Sequence, residues 1–296
     1  MKIKVRVPAT TANLGPGFDS LGLALKLYNF VEAEETGGAL EIDIKGEGRS
    51  SLPRDETNLV YKMIALVFRR AGKKIKGLGI KQINNIPTAR GLGSSAAAVA
   101  AGLAAGNYLS KAGLTKHEIL DIAAEQEGHP DNVVPALFGG LTISAVEGGN
   151  VRFMKFAPPA GMGVLLAVPG FELATAEARK VLPAEISRAD AVFNINRTAF
   201  LTASLLKGNF ENLGFAMQDK IHQPYRQRLV PGLSEILKIR EKNLGIALSG
   251  AGPSIAVFGG GGFGKVKSRI RNILQKHDVK VVFKSVKPEK DGLRLF

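Results

Sequence analysis

The chain opens on an alternation. From Lys2 to Val7 charged and apolar residues take turns, the period of a strand with one buried face. Phe30 to Glu35, Leu40 to Lys45 and Gly79 to Asn84 share this β-rich character and are predicted as further strands. Between them the period changes: Leu59, Met63, Ile64 and Val67 fall on one helical face, and Asn58 stands where it can cap a helix running to Arg70. Two consecutive helices are predicted next, Ser94 to Leu109 and Thr115 to Glu127. The second opens on a capping box, Thr115 with Glu118 three residues on.

Strand character returns at Leu141 to Ala145, Val151 to Phe156 and Met162 to Val168. Pro158, Pro159 and Gly161 mark a turn or a domain boundary, placed near residues 150 to 160. Helical patterns cover Thr175 to Val181, Ala189 to Leu206, Phe210 to Asp219 and Leu233 to Lys242. Ile246 to Leu248 and Ser254 to Phe258 flank a tight glycine turn. A basic amphipathic helix, Lys265 to His277, and a strand, Val279 to Val286, complete the pattern. Strands and helices mix without the regular alternation of a doubly wound parallel sheet, so the expected class is α+β.

Composition narrows the chemistry. A length of 296 residues suits two moderate domains, and 45% apolar with 22% charged residues excludes a disordered or collagen-like chain. The absence of cysteine excludes disulfides, thiolate metal ligands and a cysteine nucleophile. The N-terminus lacks the pattern of a signal peptide, and the longest weakly polar run, Ala96 to Ala105, is too short to cross a bilayer. A cytoplasmic protein with no membrane partner is expected. The formal charge of +14 would attract nucleic acid, anionic membrane or phosphorylated metabolites. Basic residues are scattered, with short clusters at Arg69 to Lys76 and Lys265 to Arg271. Aromatics are only 6% and no recognition motif accompanies them, so no nucleic-acid partner is expected. A basic nucleic-acid binder remains the competing class, recognised by salt-sensitive retention on DNA without ATP binding.

Two glycine-rich stretches compete for a nucleotide. Gly259 to Lys265 fits both G-x-x-x-x-G-K and G-x-G-x-x-G, yet Val266 stands where a P-loop needs Ser or Thr. No acidic residue follows about twenty positions on, so the stretch reads better as a connection. "PTARGLGSSAAA", Pro87 to Ala98, follows a predicted strand and opens a helix. Its glycines turn backbone N–H groups toward one point, and a helix N-terminus adds unpaired donors at the positive end of the dipole. A serine there could also reach a magnesium ion, or merely cap the helix, and the small residues after it suit close packing as well as a ligand. On this segment alone both readings stand. Three further polar loops accompany it: "PATTANLGPGFDSLG", "EGHPDNVVPALFGG" and "SGAGPS", with His129 carrying only weak metal-site character. Four such loops beside strands look like one composite site.

As a set these motifs resemble the GHMP kinases, the homoserine kinases in particular. "PTARGLGSSAA" is similar to the phosphate-binding motif of that superfamily, and the four stretches follow in the expected order over residues 8 to 254. The resemblance implies a two-domain GHMP-kinase-like architecture, with an ATP-binding N-terminal domain over 1–155 and an α/β C-terminal domain over 156–296. It implies phosphoryl transfer from ATP to the side-chain hydroxyl of L-homoserine, with Mg²⁺, in a homodimer. By the same resemblance Pro87, Thr88, Ala89, Arg90, Gly91, Leu92, Gly93, Ser94, Ser95, Ala96 and Ala97 would wrap the phosphates, and Ser95 with Glu127 would hold the metal. Glu125 is the weaker metal candidate, because it cannot share Glu127's helical face. Homoserine is a zwitterion. Asn13 and Asp19 are expected at its ammonium and hydroxyl end, Arg179 and Arg226 at its carboxylate, with His129 and Asp131 lining the pocket. Mevalonate-type relatives use an aspartate near a lysine as base; "VRVPATTANLG" has no lysine at the matching place, so Asp131 is expected to orient the hydroxyl rather than act as a strong base. A mevalonate- or shikimate-type kinase is the alternative, and Asp19 argues against it because those acceptors carry no ammonium.

Overall fold

A computed structural model describes all 296 residues. The opening alternation becomes two long antiparallel strands, β1 Lys2–Ala12 and β2 Leu21–Glu35. Both run further than their apolar pattern predicts. After a register shift between Pro8 and Ala9, Thr10 pairs with Ala24 and Thr11 with Leu23, so polar residues stay in the ladder. They can be buried because their hydroxyls have partners: Thr10 Oγ1 donates to Asn132 Oδ1 at 2.7 Å, and Ser249 Oγ donates to Thr11 Oγ1 at 2.8 Å.

The far edge of β2 is shared. Phe30 to Glu35 pair with β3, Leu78–Asn84, whereas Leu21 to Leu23 pair with β4, Leu141–Glu147. Strand β5, Leu40–Gly46, adds in parallel to β3, and β6, Asn150–Phe156, forms a hairpin with β4. On this sheet pack α1 Leu59–Arg70, α2 Ser94–Ser110, α3 Lys116–Glu127 and α4 Val133–Phe138. Asn58 caps α1 by accepting from the N–H groups of Val60 and Tyr61, and Thr115 with Glu118 closes the capping box of α3. The alanine-rich α2 is buried almost all round, which is why it lacks an amphipathic pattern. Its small residues let α1 come close: a Cβ at Gly102 would lie 2.7 Å from the Val60 carbonyl oxygen.

A second sheet holds β7 Gly163–Pro169, β8 Leu244–Leu248, β9 Ile255–Gly259 and β10 Val281–Val286, in the order β10-β7-β9-β8 and antiparallel throughout. The continuous apolar run of β7 is explained by burial on both faces. Val164, Leu166 and Val168 join the main core, while Leu165 and Ala167 join a smaller core with α5 Thr175–Lys180, α9 Leu233–Leu237 and α10 Gly264–Lys276. Between these lie α6 Arg188–Lys207, α7 Leu213–Ala216 and α8 Gln223–Arg226. The helix predicted over Phe210 to Asp219 shrinks to α7. The chain turns after Met217 because the Asp219 carboxylate accepts from the N–H groups of Ile221, His222 and Gln223 at 2.9, 3.0 and 2.6 Å.

The first sheet ends with β6 at Phe156 and the second begins at Gly163. Beyond β10 the chain returns: Pro288 bridges to Leu25, and β11, Arg294–Leu295, pairs with β1. We therefore propose that the N-terminal unit comprises residues 1–156 together with 287–296, rather than 1–155 alone.

Candidate active site

The loop from β3 to α2 is built to present backbone N–H groups. Asn29 Oδ1 accepts from the N–H groups of Asn85 and Ile86 at 2.8 and 2.9 Å, fixing the loop's start. Arg90 pins its middle to the second sheet, donating to the Pro169 carbonyl at 3.0 Å and pairing with Glu172 at 3.3 Å. Gly91 and Gly93 both take left-handed φ values, 70° and 69°. No side chain caps α2, for Gly93 is its N-cap, and neither Ser94 nor Ser95 does so. The N–H groups of Ser94, Ser95 and Ala96 are therefore left without helical partners. That of Ala97 is already bonded to the Gly93 carbonyl at 2.9 Å, which removes it from the expected donors. Ala96 and Ala97 side chains lie in the core, and Thr88 Oγ1 donates to Glu172 at 3.3 Å, so these residues shape the loop from behind.

Beside these donors Ser95 Oγ donates to Glu127 Oε1 at 2.6 Å. Burial holds the Glu127 carboxyl above the usual carboxylate range, and the Ser95 hydrogen bond offsets this only in part. Glu125 points away and pairs with Arg70 at 3.6 Å. In the turn between α3 and α4, Asp131 is 2% exposed and its Oδ1 lies 2.7 Å from His129 Nδ1. Burial works against a charged imidazole there, but the hydrogen bond and charge of Asp131 prevail and raise the His129 pKa.

Across the cleft Arg179 grips Asp19 with two hydrogen bonds, 3.1 and 2.7 Å. Arg226 is 1% exposed and donates to the carbonyls of Ala178 and Gly250 at 3.0 and 3.2 Å. Burial first, and the Arg179 charge second, bring its pKa down to about 10, so it stays charged at neutral pH. Both guanidinium groups lie near the Phe18 ring, 5.6 and 5.4 Å from its centroid. Asn13 is committed to the backbone, donating to Gly250 O at 2.9 Å and accepting from Asp19 N–H at 3.0 Å, so it shapes the loop that carries Asp19. One cleft is lined by Asn13, Asp19, Ala89 to Ser95, Glu127, His129, Asp131, Arg179 and Arg226. Pro87, Thr88, Ala96 and Ala97 do not line it.

The chain has relatives of known family. The family model "GHMP kinases N terminal domain" matches residues 58–140, and "GHMP kinases C terminal" matches residues 201–277. Homoserine kinase of Petrotoga mobilis is 45% identical over 280 residues, 93% of this chain and 91% of that one. That of Aquifex aeolicus is 40% identical over 299 residues, 99% of each. The chain belongs to the homoserine kinase family of GHMP kinases. The crystal structure of homoserine kinase from Cytophaga hutchinsonii matches with a TM-score of 0.85 at 28% identity, covering 100% of this chain and 97% of that one. Mevalonate diphosphate decarboxylase from Staphylococcus aureus, at a TM-score of 0.64 and 14% identity, shares the fold alone.

Within this homoserine kinase family member a second cavity adjoins the first through Ala89, Ser94 and Ser95, and runs between Pro53, Asn58, Leu59 and Glu172. Of its lining, Thr88, Ala89, Ser94 and Ser95 belong to the loop expected at the phosphates, whereas Asn29, Leu52, Pro53, Gln82 and Glu172 were not expected at a site, nor was Thr175 in the main cleft. Asn132, bonded to Thr10, and Ala251 also line the main cleft, and both lie inside quoted motifs, "EGHPDNVVPALFGG" and "SGAGPS". The rival stretch Gly259 to Lys265 lines neither cavity; Lys265 is exposed and pairs with Glu241 at 3.5 Å.

Proposed function

We propose that the chain transfers the γ-phosphoryl group of ATP to the side-chain hydroxyl of L-homoserine, giving O-phospho-L-homoserine and ADP. The observation that carries this reading is the bidentate Asp19–Arg179 pair, which shares a cleft with the uncapped N-terminus of α2. A zwitterion entering there exchanges partners with that pair, its ammonium going to Asp19 and its carboxylate to Arg179 and Arg226. Neither protein charge is stranded.

The triphosphate lies along the N–H groups of Ser94, Ser95 and Ala96, with the nucleoside in the adjoining cavity. Ser95 and Glu127 would hold Mg²⁺, which neutralises charge on the phosphates. A hydroxyl and a desolvated carboxylate with no salt-bridge partner fit a hard cation that completes its shell from phosphate and water. Glu127→Gln should raise the half-saturating Mg²⁺ concentration about tenfold, an effect of ~1.4 kcal/mol, while Glu125→Gln leaves it unchanged. Equal Mg²⁺ dependence in the two variants would remove Glu127 from this role.

The homoserine oxygen bonds to the γ-phosphorus as the bond to the β,γ-bridging oxygen breaks, and the hydroxyl proton departs late because the transition state is loose. Asp131, steadied by His129, orients that hydroxyl. Asp131→Asn is accordingly expected to keep more than about one-hundredth of the turnover, the low end of acid–base catalysis. A deeper loss, measured by steady-state kinetics, would make Asp131 a base.

Mevalonate and shikimate, acceptors of the alternative kinases, carry a carboxylate but no ammonium, and would leave Asp19 unmatched. Phosphorylation of homoserine, mevalonate and shikimate compared with the pure protein tests the reading, and no product from homoserine overturns it. A homodimer and a cytoplasmic location belong to the same reading; sedimentation of the purified chain measures the first. No helix is long and apolar enough to cross a membrane.

A further inference from the structure

Behind the amino-acid end of the cleft lies a buried histidine that the mechanism does not use. His222 is 0% exposed. Its Nε2 is 2.8 Å from the Gly15 carbonyl oxygen, and its Nδ1 is 3.1 Å from Nη1 of Arg226. A guanidinium only donates, so Nδ1 accepts and the ring proton sits on Nε2, donating to Gly15. One ring thus connects the loop that carries Asp19 to the arginine across from it. Its faces are used as well: Phe18 stacks on it, centroids 5.2 Å apart at 24°, and Phe18 in turn underlies both guanidinium groups.

Both ends of this connection are braced independently. Asp219 Oδ2 is 3.6 Å from the ring, but that carboxylate is occupied by three backbone N–H groups and by Asn194 Nδ2 at 2.7 Å. Asn194 Nδ2 and Thr198 Oγ1, both on α6, also donate to the Pro16 carbonyl at 3.2 and 3.0 Å, and a Cβ on Gly15 would lie 2.3 Å from the Met217 carbonyl oxygen. The loop therefore has one seat against α6, and His222 is the side chain that ties Arg226 to it, beside the backbone bonds of Arg226 to Ala178 and Gly250. Burial, the leading cause, lowers the His222 pKa; the Asp219 charge opposes this, the Arg226 charge adds to it, and the net lowering keeps Nδ1 free to accept from the arginine.

We propose that His222 is a positioning residue: it fixes the distance between the ammonium partner Asp19 and the carboxylate partner Arg226, and so tunes the site to an α-amino acid. This rests on the reading of those two residues as partners of the zwitterion. The test uses His222→Phe, which keeps the ring and its stacking but removes both hydrogen bonds, and His222→Asn, which retains an acceptor for Arg226. Acceptors are L-homoserine and 3-amino-1-propanol, which has the ammonium and hydroxyl but no carboxylate. His222→Phe should raise KM for homoserine at least about tenfold with KM for ATP within about twofold, and His222→Asn should recover part of the loss. The preference for homoserine over the aminoalcohol should fall by a similar factor, since α6 still holds the loop at the ammonium end when the Gly15 bond is lost. An equal loss on both acceptors, or a fall in Tm with both KM values unchanged, would overturn the proposal. Arg226→Met run in parallel separates the two ideas. If it leaves the homoserine KM unchanged, the carboxylate assignment fails; if it raises that KM while both His222 variants do not, only the positioning role fails.

Discussion

Asp19→Asn should lower kcat/KM for homoserine by about a hundredfold or more, within the ~2–5 kcal/mol that follows truncation of one member of an interacting charge pair. The cause is what the carboxylate leaves behind. Arg179 and Arg226 lie against the same Phe18 ring, and the Arg179 charge already helps to lower the Arg226 pKa. Without Asp19 the substrate ammonium enters a pocket whose two guanidinium groups have lost one of their compensating carboxylates. The fold should lose little, because the Asp19 and Arg179 side chains are 35% and 36% exposed and such pairs contribute only ~0–1 kcal/mol. Selectivity should shift in a definite direction. 4-Hydroxybutyrate, which carries the carboxylate and hydroxyl but no ammonium, should gain on homoserine in Asp19→Asn, since Arg179 is then free to receive it. Kinetics with both acceptors, alongside a melting curve, check this, and an unchanged ratio of the two would refute the exchange of partners.

The second large effect is expected at Gly93. A Cβ there would lie 1.9 Å from Thr10 Oγ1 and 3.3 Å from Asn132 Oδ1, and φ is already +69°. Thr10 cannot simply rotate away, because it donates to Asn132 at 2.7 Å and its backbone N–H bonds the Leu92 carbonyl at 3.1 Å. Gly93→Ala therefore combines left-handed strain of ~1–3 kcal/mol with overpacking of similar size. ATP binding should be lost and Tm should fall by roughly 5–10 °C. Gly208→Ala is the control: φ is +66° at the C-cap of α6, but open space surrounds the new methyl. That variant should show the strain alone and bind ATP normally. Calorimetric titration with ATP decides, and normal binding by Gly93→Ala would mean that α2 does not receive the phosphates.

Much of this was legible along the chain for local reasons. The caps of α1 and α3 are short-range hydrogen-bond patterns, and Asn58, Thr115 and Glu118 state them within three residues. The glycine turn opening α2 was legible because its glycines, serines and helix are contiguous in the chain. Other features depend on partners far away. Pro8 to Ala12 do not look like a strand until Asn132 and Ser249 supply the hydrogen bonds that let Thr10 and Thr11 be buried. Arg90 reads as a phosphate ligand in its motif, yet it holds the loop to Pro169 and Glu172. His222 had no signal of its own, because its meaning lies in Gly15, Phe18 and Arg226. The two-residue β11 has no period to read and exists only through β1.

Strand β7 carries a consequence for how the enzyme can move. Alternate residues on it belong to different cores, Val164, Leu166 and Val168 to one, Leu165 and Ala167 to the other. A hinge between the two sheets would have to shear a packed interior whose main body runs without a break from Val5 on β1 to Phe258 on β9. Jaw-like rotation of one sheet against the other is therefore disfavoured, and closure of the cleft is expected instead from small rearrangements of the glycine loops on a shared core.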